Sequence, residues 1–209
     1  MIRNLKNPLT ENYLEMKRKV FNEFNWEWIH ASFPHDYHNP NPDRHINPGF
    51  YGHQILANPD RTNRIYPHPW TNSPYLELVS NVIREIFDYN QISVDCIFRI
   101  NFNACGPESG SAQETIPHTD HDFPHSNMIG YLSDVGGRTF VKKENREEYH
   151  EPHEDEIITF PGLLHWQEVP KKGRRIVFVV TYQETDKNTF QYKYHHSAFH
   201  PQNNFHRHN

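Results

Sequence analysis

Residues 165–182 read HWQEVPKKGRRIVFVVTY, so a charged turn joins a histidine to a long apolar run. The run after Arg174 is dominated by β-branched and aromatic residues, which favour a β-strand. Side chains alternate between the faces of a strand, so Arg174 and Arg175 are expected on opposite sides of a sheet. The larger side chains on the face of Arg174 suit packing under a helix. The face of Arg175 suits the wall of a ligand-holding interior, because its other members are smaller: Val177, Val179 and Thr181.

The same period of two appears upstream, from residue 97 onward. In residues 97–103 one face of the predicted strand is apolar and the other is polar. The apolar face carries Phe98, Ile100 and Phe102, and the polar face carries Arg99, Asn101 and Asn103. Further short strands are predicted at 128–132, 138–142 and 156–160. The charge-rich stretch before residue 156 is expected to be the solvated end of a hairpin.

The first 90 residues follow a different pattern. Apolar residues recur at helical spacing from Thr10 to Trp28, and Thr10 is the predicted N-cap. A second helix is predicted from Ser73 to Tyr89, opened by Ser73 and a first-turn proline. The intervening residues 30–73 are rich in Pro, Asn, His and Asp and predict a long loop. Helices followed by short strands indicate a mainly β chain of the α+β class, whose β part is a sandwich or barrel.

Length, charge and hydropathy exclude several classes of protein. The 209 residues suit a single domain, with a helical and loop-rich portion at 1–90, a β core at 91–185 and a polar, His-rich segment at 186–209. The 26 acidic and 21 basic residues are interspersed, which argues against a nucleic-acid partner. No run approaches the roughly 20 apolar residues that a membrane span requires, and no signal sequence is evident, so we expect a cytoplasmic protein.

Histidine and carboxylate side chains are the expected metal ligands. The only cysteines are Cys96 and Cys105, too few for a disulfide framework or a thiolate zinc site. His118 and Asp120 are two residues apart after a strand, so both can face one ion, and His165 supplies a third donor. Two imidazoles and one carboxylate suit non-haem Fe(II), although zinc accepts the same set. Other residues beside the first pair remain possible ligands or mouth residues: His121, Asp122 and His125.

Four ordered motifs resemble the prolyl 4-hydroxylase-like 2-oxoglutarate/Fe(II) oxygenases. The C-terminal motif is His165-x-x-x-Val-Pro-x-x-Gly-x-Arg175. The segment 117–120, Pro-His-Thr-Asp, resembles the proximal iron motif of the family. Residues 129–133 and 136–139 resemble its tyrosine strand and glycine turn. Together these motifs span about residues 91–182, and their order makes the resemblance specific.

The resemblance implies a double-stranded β-helix, a cupin-like jelly roll, preceded by two N-terminal helices. It also implies a dioxygenase that uses Fe(II), 2-oxoglutarate and O₂, with ascorbate in support, and that takes His118, Asp120 and His165 as iron ligands. The reaction would hydroxylate an unactivated C–H bond while 2-oxoglutarate is decarboxylated to succinate. The expected cosubstrate contacts are led by Arg175, with Arg174 as the alternative, because a guanidinium suits a carboxylate. The others are Tyr131, Asn101, Asn103 and Thr181.

Two questions stay open at the level of sequence. One is whether the chain is an enzyme or a non-enzymatic jelly roll that binds metal or senses a small molecule; a zinc hydrolase is disfavoured because no glutamate adjoins a ligand histidine. The other is the substrate, either a small molecule or a peptide, with family resemblance favouring a prolyl residue. Segment 30–73 and residues 121–127 are the expected recognition loops. The oligomeric state is not indicated.

Overall fold

A computed structural model describes residues 1–31, 39, 41–57, 70–71, 73–107 and 113–185. The predicted His-rich segment 186–209 and much of 30–73 lie outside the described residues. The helices are α1 (Glu11–Asn22) and α2 (Leu76–Tyr89). The first strands are β1 (Arg3–Leu5), β2 (Glu27–Ile29), β3 (His45–Ile46), β4 (Phe50–Ala57), β5 (Trp70–Thr71), β6 (Val94–Cys105) and β7 (Glu114–Thr115). The later strands are β8 (Ser126–Tyr131), β9 (Thr139–Lys143), β10 (Arg146–His150), β11 (Ile157–Pro161), β12 (Leu164–Gln167) and β13 (Arg175–Glu184).

A large antiparallel sheet forms the centre of the molecule. Its strand order is β1-β11-β8-β13-β6-β4-β2, with β5 paired to β4. A three-stranded sheet, β10-β9-β12, and a short parallel pair, β3-β7, complete the described strands. The result is a mainly β chain with few helices, as expected for a jelly roll. No helix in the described part of the chain is long and apolar enough to cross a membrane.

The core lies on both faces of the large sheet. On one face α1 and α2 pack against it through residues that include Met16, Ile83 and Phe178. On the other face Val177 and Val179 of β13 pack with Val141 of β9, which belongs to the smaller sheet. The predicted alternation along β13 is therefore confirmed. Even-numbered residues lie under the helices, and odd-numbered residues lie between the sheets.

Both predicted helices are present, with shifted ends. Thr10 is the N-cap of α1, and its hydroxyl accepts a hydrogen bond from the Tyr13 backbone N–H at 3.2 Å. That helix ends at Asn22 rather than at Trp28, which lies in β2. The predicted cap of α2 is wrong. Tyr75 occupies the N-cap position without a side-chain hydrogen bond, and Ser73 instead accepts from the Tyr75 N–H at 3.2 Å in the preceding turn.

Strands also occur where a loop was predicted. Segment 30–73 contributes β3, β4 and β5, and β4 pairs with β6 in the large sheet. The two helices therefore do not simply precede the β-sheet, since strands from the first 90 residues belong to it. The sequence of β4 did not predict a strand because it contains the polar residues His53 and Gln54. His53 is buried because its ring nitrogens bond the Asn25 carbonyl oxygen and the Ser73 hydroxyl, at 2.8 and 2.9 Å.

The prediction that Phe98 shares the apolar face of β6 with Ile100 and Phe102 is wrong, because β6 contains a bulge. Thr181 of β13 lies opposite Arg99, but the next residue, Tyr182, lies opposite Ile97, so Phe98 is the extra residue. Ile97 consequently packs against the helix-covered core with Ile100 and Phe102. Phe98 instead contacts the rings of His121 and Phe123, with centroids 5.7 and 4.9 Å away.

Candidate metal and cosubstrate site

Backbone pairing brings the two predicted histidine ligands together. His118 and His165 form an isolated antiparallel bridge, with N–H to carbonyl distances of 2.9 and 2.8 Å in the two directions. Their ring centroids are 4.5 Å apart. Asp120, two residues along, places its Oδ2 3.5 Å from His165 Nε2. One ligand atom from each of these three side chains lies within 4.8 Å of the others.

Hydrogen bonds set the tautomer of both imidazoles. The Nδ1 of His118 lies 3.1 Å from the Ile116 carbonyl oxygen, and that of His165 lies 2.9 Å from the Leu163 carbonyl oxygen. A carbonyl oxygen only accepts, so each Nδ1 carries the proton and each Nε2 carries the lone pair that a metal needs. Burial lowers the pKa of His118 to about 4 and also lowers the pKa of His165. Both rings are therefore neutral at pH 7, the state that ligates metal.

Arg99 holds the carboxylate of Asp120. Its Nη2 donates to Asp120 Oδ1 at 2.5 Å, while Oδ2 is buried without a hydrogen-bond partner among the described residues. Burial favours the protonated acid, but the positive charge of Arg99, joined in acid by that of the protonated imidazoles, outweighs it and keeps the pKa of Asp120 well below its usual range. An ionised oxygen thus faces the two Nε2 atoms. The residues fit a divalent cation with two nitrogens and one oxygen, a set that suits non-haem Fe(II).

Nearby histidines have other roles in the structure. In the described part of the chain, His121 and His125 are not members of the ligand group. The Nε2 of His121 lies 2.8 Å from the Thr181 hydroxyl, and the Nδ1 of His125 donates to the Phe123 carbonyl oxygen at 2.8 Å. Both rings therefore have hydrogen-bond partners outside the ligand group.

Arg175 lies in the cavity that contains the three ligands. The cavity measures about 330 Å³, and both Arg99 and Arg175 line it. Arg175 is only 3% exposed, and its guanidinium lies over the Tyr131 ring at 5.2 Å. Its hydrogen bonds go to the Thr139 hydroxyl at 2.9 Å, the Gly137 carbonyl oxygen at 3.2 Å and the Gln167 side-chain oxygen. All three partners are neutral, so within the described residues this buried cation has no carboxylate.

Arg174 lies outside the cavity. It is exposed, and its guanidinium stacks over the Tyr51 ring at 5.2 Å on the opposite face of the sheet. Trp28 packs against the same tyrosine, with ring centroids 4.9 Å apart. Tyr51, although it belongs to the segment expected to recognise substrate, therefore lies on the face of the sheet opposite the cavity. Among the described residues of segment 30–73, Pro48 and Phe50 line the cavity.

The remaining predicted contacts divide into two groups. Asn101 and Asn103 line the cavity, and the Asn101 side-chain amide donates to Asn103 Oδ1. Tyr131 and Thr181 are not among the described residues that line the cavity, so their contact with a cosubstrate stays a prediction. The Tyr131 hydroxyl is 2.8 Å from that of Thr139, beneath Arg175, and burial raises its pKa. The Thr181 hydroxyl is taken up by His121.

Three site residues had no assigned role at the sequence level: Arg99 as the partner of Asp120, and Thr139 and Gln167 as partners of Arg175. Gln167 is two residues after His165, so strand alternation could have placed it on the same face. Thr139 follows the predicted glycine turn. The pairing of Arg99 with Asp120 has no comparable local signal, because it depends on how β6 lies against the segment after β7.

Comparison with known proteins gives a match at the level of structure. No protein-family model and no curated protein sequence matches the chain. An oxidoreductase of the 2OG-Fe(II) oxygenase family from Burkholderia pseudomallei is 16% identical, with a TM-score of 0.62 over 83% of this chain and 79% of that one. The α-ketoglutarate-dependent carbocyclase SnoK of nogalamycin biosynthesis is 12% identical, with a TM-score of 0.53 over 88% and 80% of the two chains.

A third similar structure is a prolyl hydroxylase from Trichoplax adhaerens, solved with a peptide fragment of a hypoxia inducible factor. It is 13% identical, with a TM-score of 0.52 over 87% of this chain and 82% of that one. At these identities the likeness concerns the path of the backbone. The chain has the jelly-roll fold of the 2-oxoglutarate/Fe(II) oxygenases.

Proposed function

We propose that this protein is an Fe(II)- and 2-oxoglutarate-dependent dioxygenase that hydroxylates an unactivated C–H bond. The observation that carries the proposal is one cavity lined by a His-Asp-His ligand group and by a buried arginine without an anionic partner among the described residues. A buried cation is costly unless it is paired, so Arg175 calls for an anion from outside the chain. 2-Oxoglutarate supplies a carboxylate for the arginine and a chelating 2-oxo acid for the metal.

Each residue then has a defined task. His118, Asp120 and His165 would hold Fe(II), and Arg175 would bind the distal carboxylate of 2-oxoglutarate. Tyr131 and Thr139 support that guanidinium, while Asn101 and Asn103 offer polar contacts along the wall between the two ends. With O₂, the bound iron and cosubstrate supply oxidative decarboxylation to succinate and CO₂ coupled to hydroxylation; ascorbate would keep the iron reduced. The side chains orient these groups and exclude water.

The acid-base composition of the cavity disfavours hydrolysis. Among the described residues that line it, Asp120 is the only carboxylate, and it is already committed to Arg99 and the ligand group. A zinc hydrolase usually needs another carboxylate as general base beside its metal ligands. An oxygenase needs none, because the cosubstrate supplies the reactivity.

The more specific proposal is that the substrate is a prolyl residue in a peptide. The Trichoplax neighbour is a prolyl hydroxylase solved with a peptide. In this chain an aromatic cluster lies beside the ligand group: Phe123 stacks on His121 at 4.6 Å and remains 39% exposed, with Phe98 against both. Such rings suit contact with an apolar pyrrolidine ring. The SnoK neighbour has a different chemistry, so a small-molecule substrate is the competing form.

The decisive experiment measures cosubstrate chemistry directly. Anaerobic protein with Fe(II) and 2-oxoglutarate should develop a visible charge-transfer band. In air the same mixture with ascorbate and a panel of prolyl peptides and small molecules should release succinate. His165→Ala is the matched control and should do neither. If wild-type protein binds Fe(II) but gives no band and no succinate, the chain is a metal-binding jelly roll rather than an enzyme.

A further inference from the structure

Two arginines, one from each of the paired strands β6 and β13, line the cavity at well-separated positions. In the antiparallel register of β6 and β13, Arg175 lies opposite Cys105, and Arg99 lies opposite Thr181. Six residues separate these positions, which corresponds to about 20 Å of strand. The ligand group lies on the Arg99 side, since Asp120 bonds Arg99 directly. The proposed cosubstrate extends from Arg175 to the metal and leaves Arg99 for another ligand.

Arg99 has donors that its ion pair does not use. A guanidinium carries five N–H bonds, and the bond to Asp120 Oδ1 uses one of them. The Nε of Arg99 is buried without a hydrogen-bond partner among the described residues, and so is Asn101 Oδ1 in the same wall. Buried polar atoms are usually satisfied. An unsatisfied donor and an unsatisfied acceptor side by side therefore point to a polar ligand at this position.

The charges of the cavity favour an anion there. Among the described lining residues the ionised groups are Arg99, Arg175 and Asp120, so the wall carries one excess positive charge. Fe(II) and the 2-oxoglutarate dianion cancel each other. The excess positive charge of the lining residues therefore persists after Fe(II) and 2-oxoglutarate have bound. Because the distal carboxylate of the cosubstrate neutralises Arg175, the remaining charge lies in the half of the cavity that contains Arg99 and the metal. An anionic group would neutralise it, whereas a cationic group would be repelled.

Arg99 is the more accessible partner of its ion pair: 23% of its side chain is exposed, against 5% for Asp120. Thr181, opposite Arg99, bonds His121, and His121 stacks on the partly exposed Phe123.

We propose that the primary substrate carries a carboxylate and that Arg99 binds it in the cavity. This inference rests on the proposed oxygenase function and narrows its substrate class. The carboxylate belongs either to a free carboxylic acid or to an acidic residue of a peptide, and the guanidinium recognises the same group in both.

The test uses the full chain loaded with Mn(II) and saturating 2-oxoglutarate, which occupies Arg175. Two probe pairs are compared by the Mn(II)-induced relaxation of their protons in NMR titrations. Acetate against acetamide represents free acids, and the blocked peptide Ac-Ala-Pro-Asp-NH₂ against Ac-Ala-Pro-Asn-NH₂ represents acidic peptides. In at least one pair the carboxylate should bind about tenfold or more tightly than its amide, the gain expected for a charged hydrogen bond. The pair that shows the preference identifies the source.

Three variants locate the effect. Arg99→Gln should abolish the preference, and Arg99→Lys should retain part of it because the charge remains. Arg174→Gln is the matched control: it removes the same charge from the opposite face of the sheet and should leave the preference unchanged. Thermal unfolding of the loaded variants shows whether each one is folded, and if Arg99→Gln is not, the comparison rests on the lysine variant.

Several results would overturn the inference. The inference is wrong if neither probe pair shows a preference for the carboxylate. It is also wrong if the preference persists in Arg99→Gln, because the probe would then be coordinating the metal. Arg99→Gln could instead alter the visible spectrum of Co(II)-loaded protein without changing carboxylate binding, which would limit Arg99 to orienting Asp120. The affinities for Mn(II) and 2-oxoglutarate are measured first. If they fail to bind together, the proposed function itself is wrong, and this inference falls with it.

Discussion

The environment of Arg175 indicates that its ligand is an anion. Its three side-chain hydrogen bonds go to neutral groups. If 2-oxoglutarate supplies the missing anion, Arg175→Ala should weaken its binding by about 2–5 kcal/mol, because one partner of a desolvated charge pair is lost. Isothermal titration of the Mn(II)-loaded protein with 2-oxoglutarate measures this change.

Arg174→Ala is the control for that measurement. Arg174 is exposed and stacks on Tyr51, so its removal should change 2-oxoglutarate affinity by less than about 1 kcal/mol. If the Arg174 variant loses more affinity than the Arg175 variant, the cosubstrate lies elsewhere and the assignment of the cavity is incorrect.

The three ligand side chains should matter for metal binding far more than for folding. Alanine at His118, Asp120 or His165 should reduce Mn(II) affinity more than about 100-fold, beyond the effect typical of residues that only support a ligand. Each variant should still unfold cooperatively, because the larger hydrophobic core lies under the helices, on the face of the sheet opposite the triad. The surface variant His153→Ala is the matched control. Retained metal affinity in any triad variant would remove that residue from the site.

At the scale of elements, β8 and β13 approach each other closely at one glycine. A Cβ on Gly130 would lie 2.1 Å from the ring of Phe178, which is almost fully buried. Gly130→Ala should therefore lower the free energy of unfolding by about 1–3 kcal/mol through overpacking. Chemical denaturation measures it. Gly106→Ala is the comparison, since a Cβ there meets only one atom at 3.8 Å, and an equal loss in both variants would contradict the steric explanation.

The elements also show where periodicity succeeds and where it fails. Alternation placed the faces of β13 correctly because that strand is regular beside β8. It failed in β6 at Phe98, since a bulge shifts the phase and nothing local in the sequence marks it. It also failed in β4, where His53 is buried through bonds to Asn25 and Ser73, residues far away in the sequence. A hydrophobicity pattern treats every polar residue as exposed, so it cannot predict that distant hydrogen-bond partners allow His53 to be buried.

At the scale of the whole molecule, the two proposed ligands should stabilise the fold. A ligand that binds only the native state adds about 2.7 kcal/mol at a concentration 100 times its Kd. For a chain of this length that corresponds to a rise in Tm of about 5–10 °C. Calorimetry with Mn(II) and 2-oxoglutarate together should show this rise, and Asp120→Ala should show none. A similar rise in that variant would mean that the ligands bind outside the proposed site.

Local sequence determined much of this protein. The alternation of 174–182 predicted which arginine faces inward, helical spacing predicted α1 and α2, and the two-residue spacing of His118 and Asp120 indicated that both can face one ion. These features depend on neighbours within a few residues, where backbone geometry sets the direction of each side chain. That is why they could be inferred without the fold.

Only the tertiary structure decided how distant segments combine. It paired His118 with His165 through backbone hydrogen bonds and brought Arg99 against Asp120, 21 positions along the chain. It also set Tyr131 beneath Arg175 rather than in the cavity, and turned Thr181 towards His121. The reason is physical: these contacts depend on strand register, a bulge and the packing of two sheets. Strand register and sheet packing depend on the free energy of burying the whole core. The residues next to His118, Arg99, Tyr131 or Thr181 in the sequence therefore do not determine these contacts.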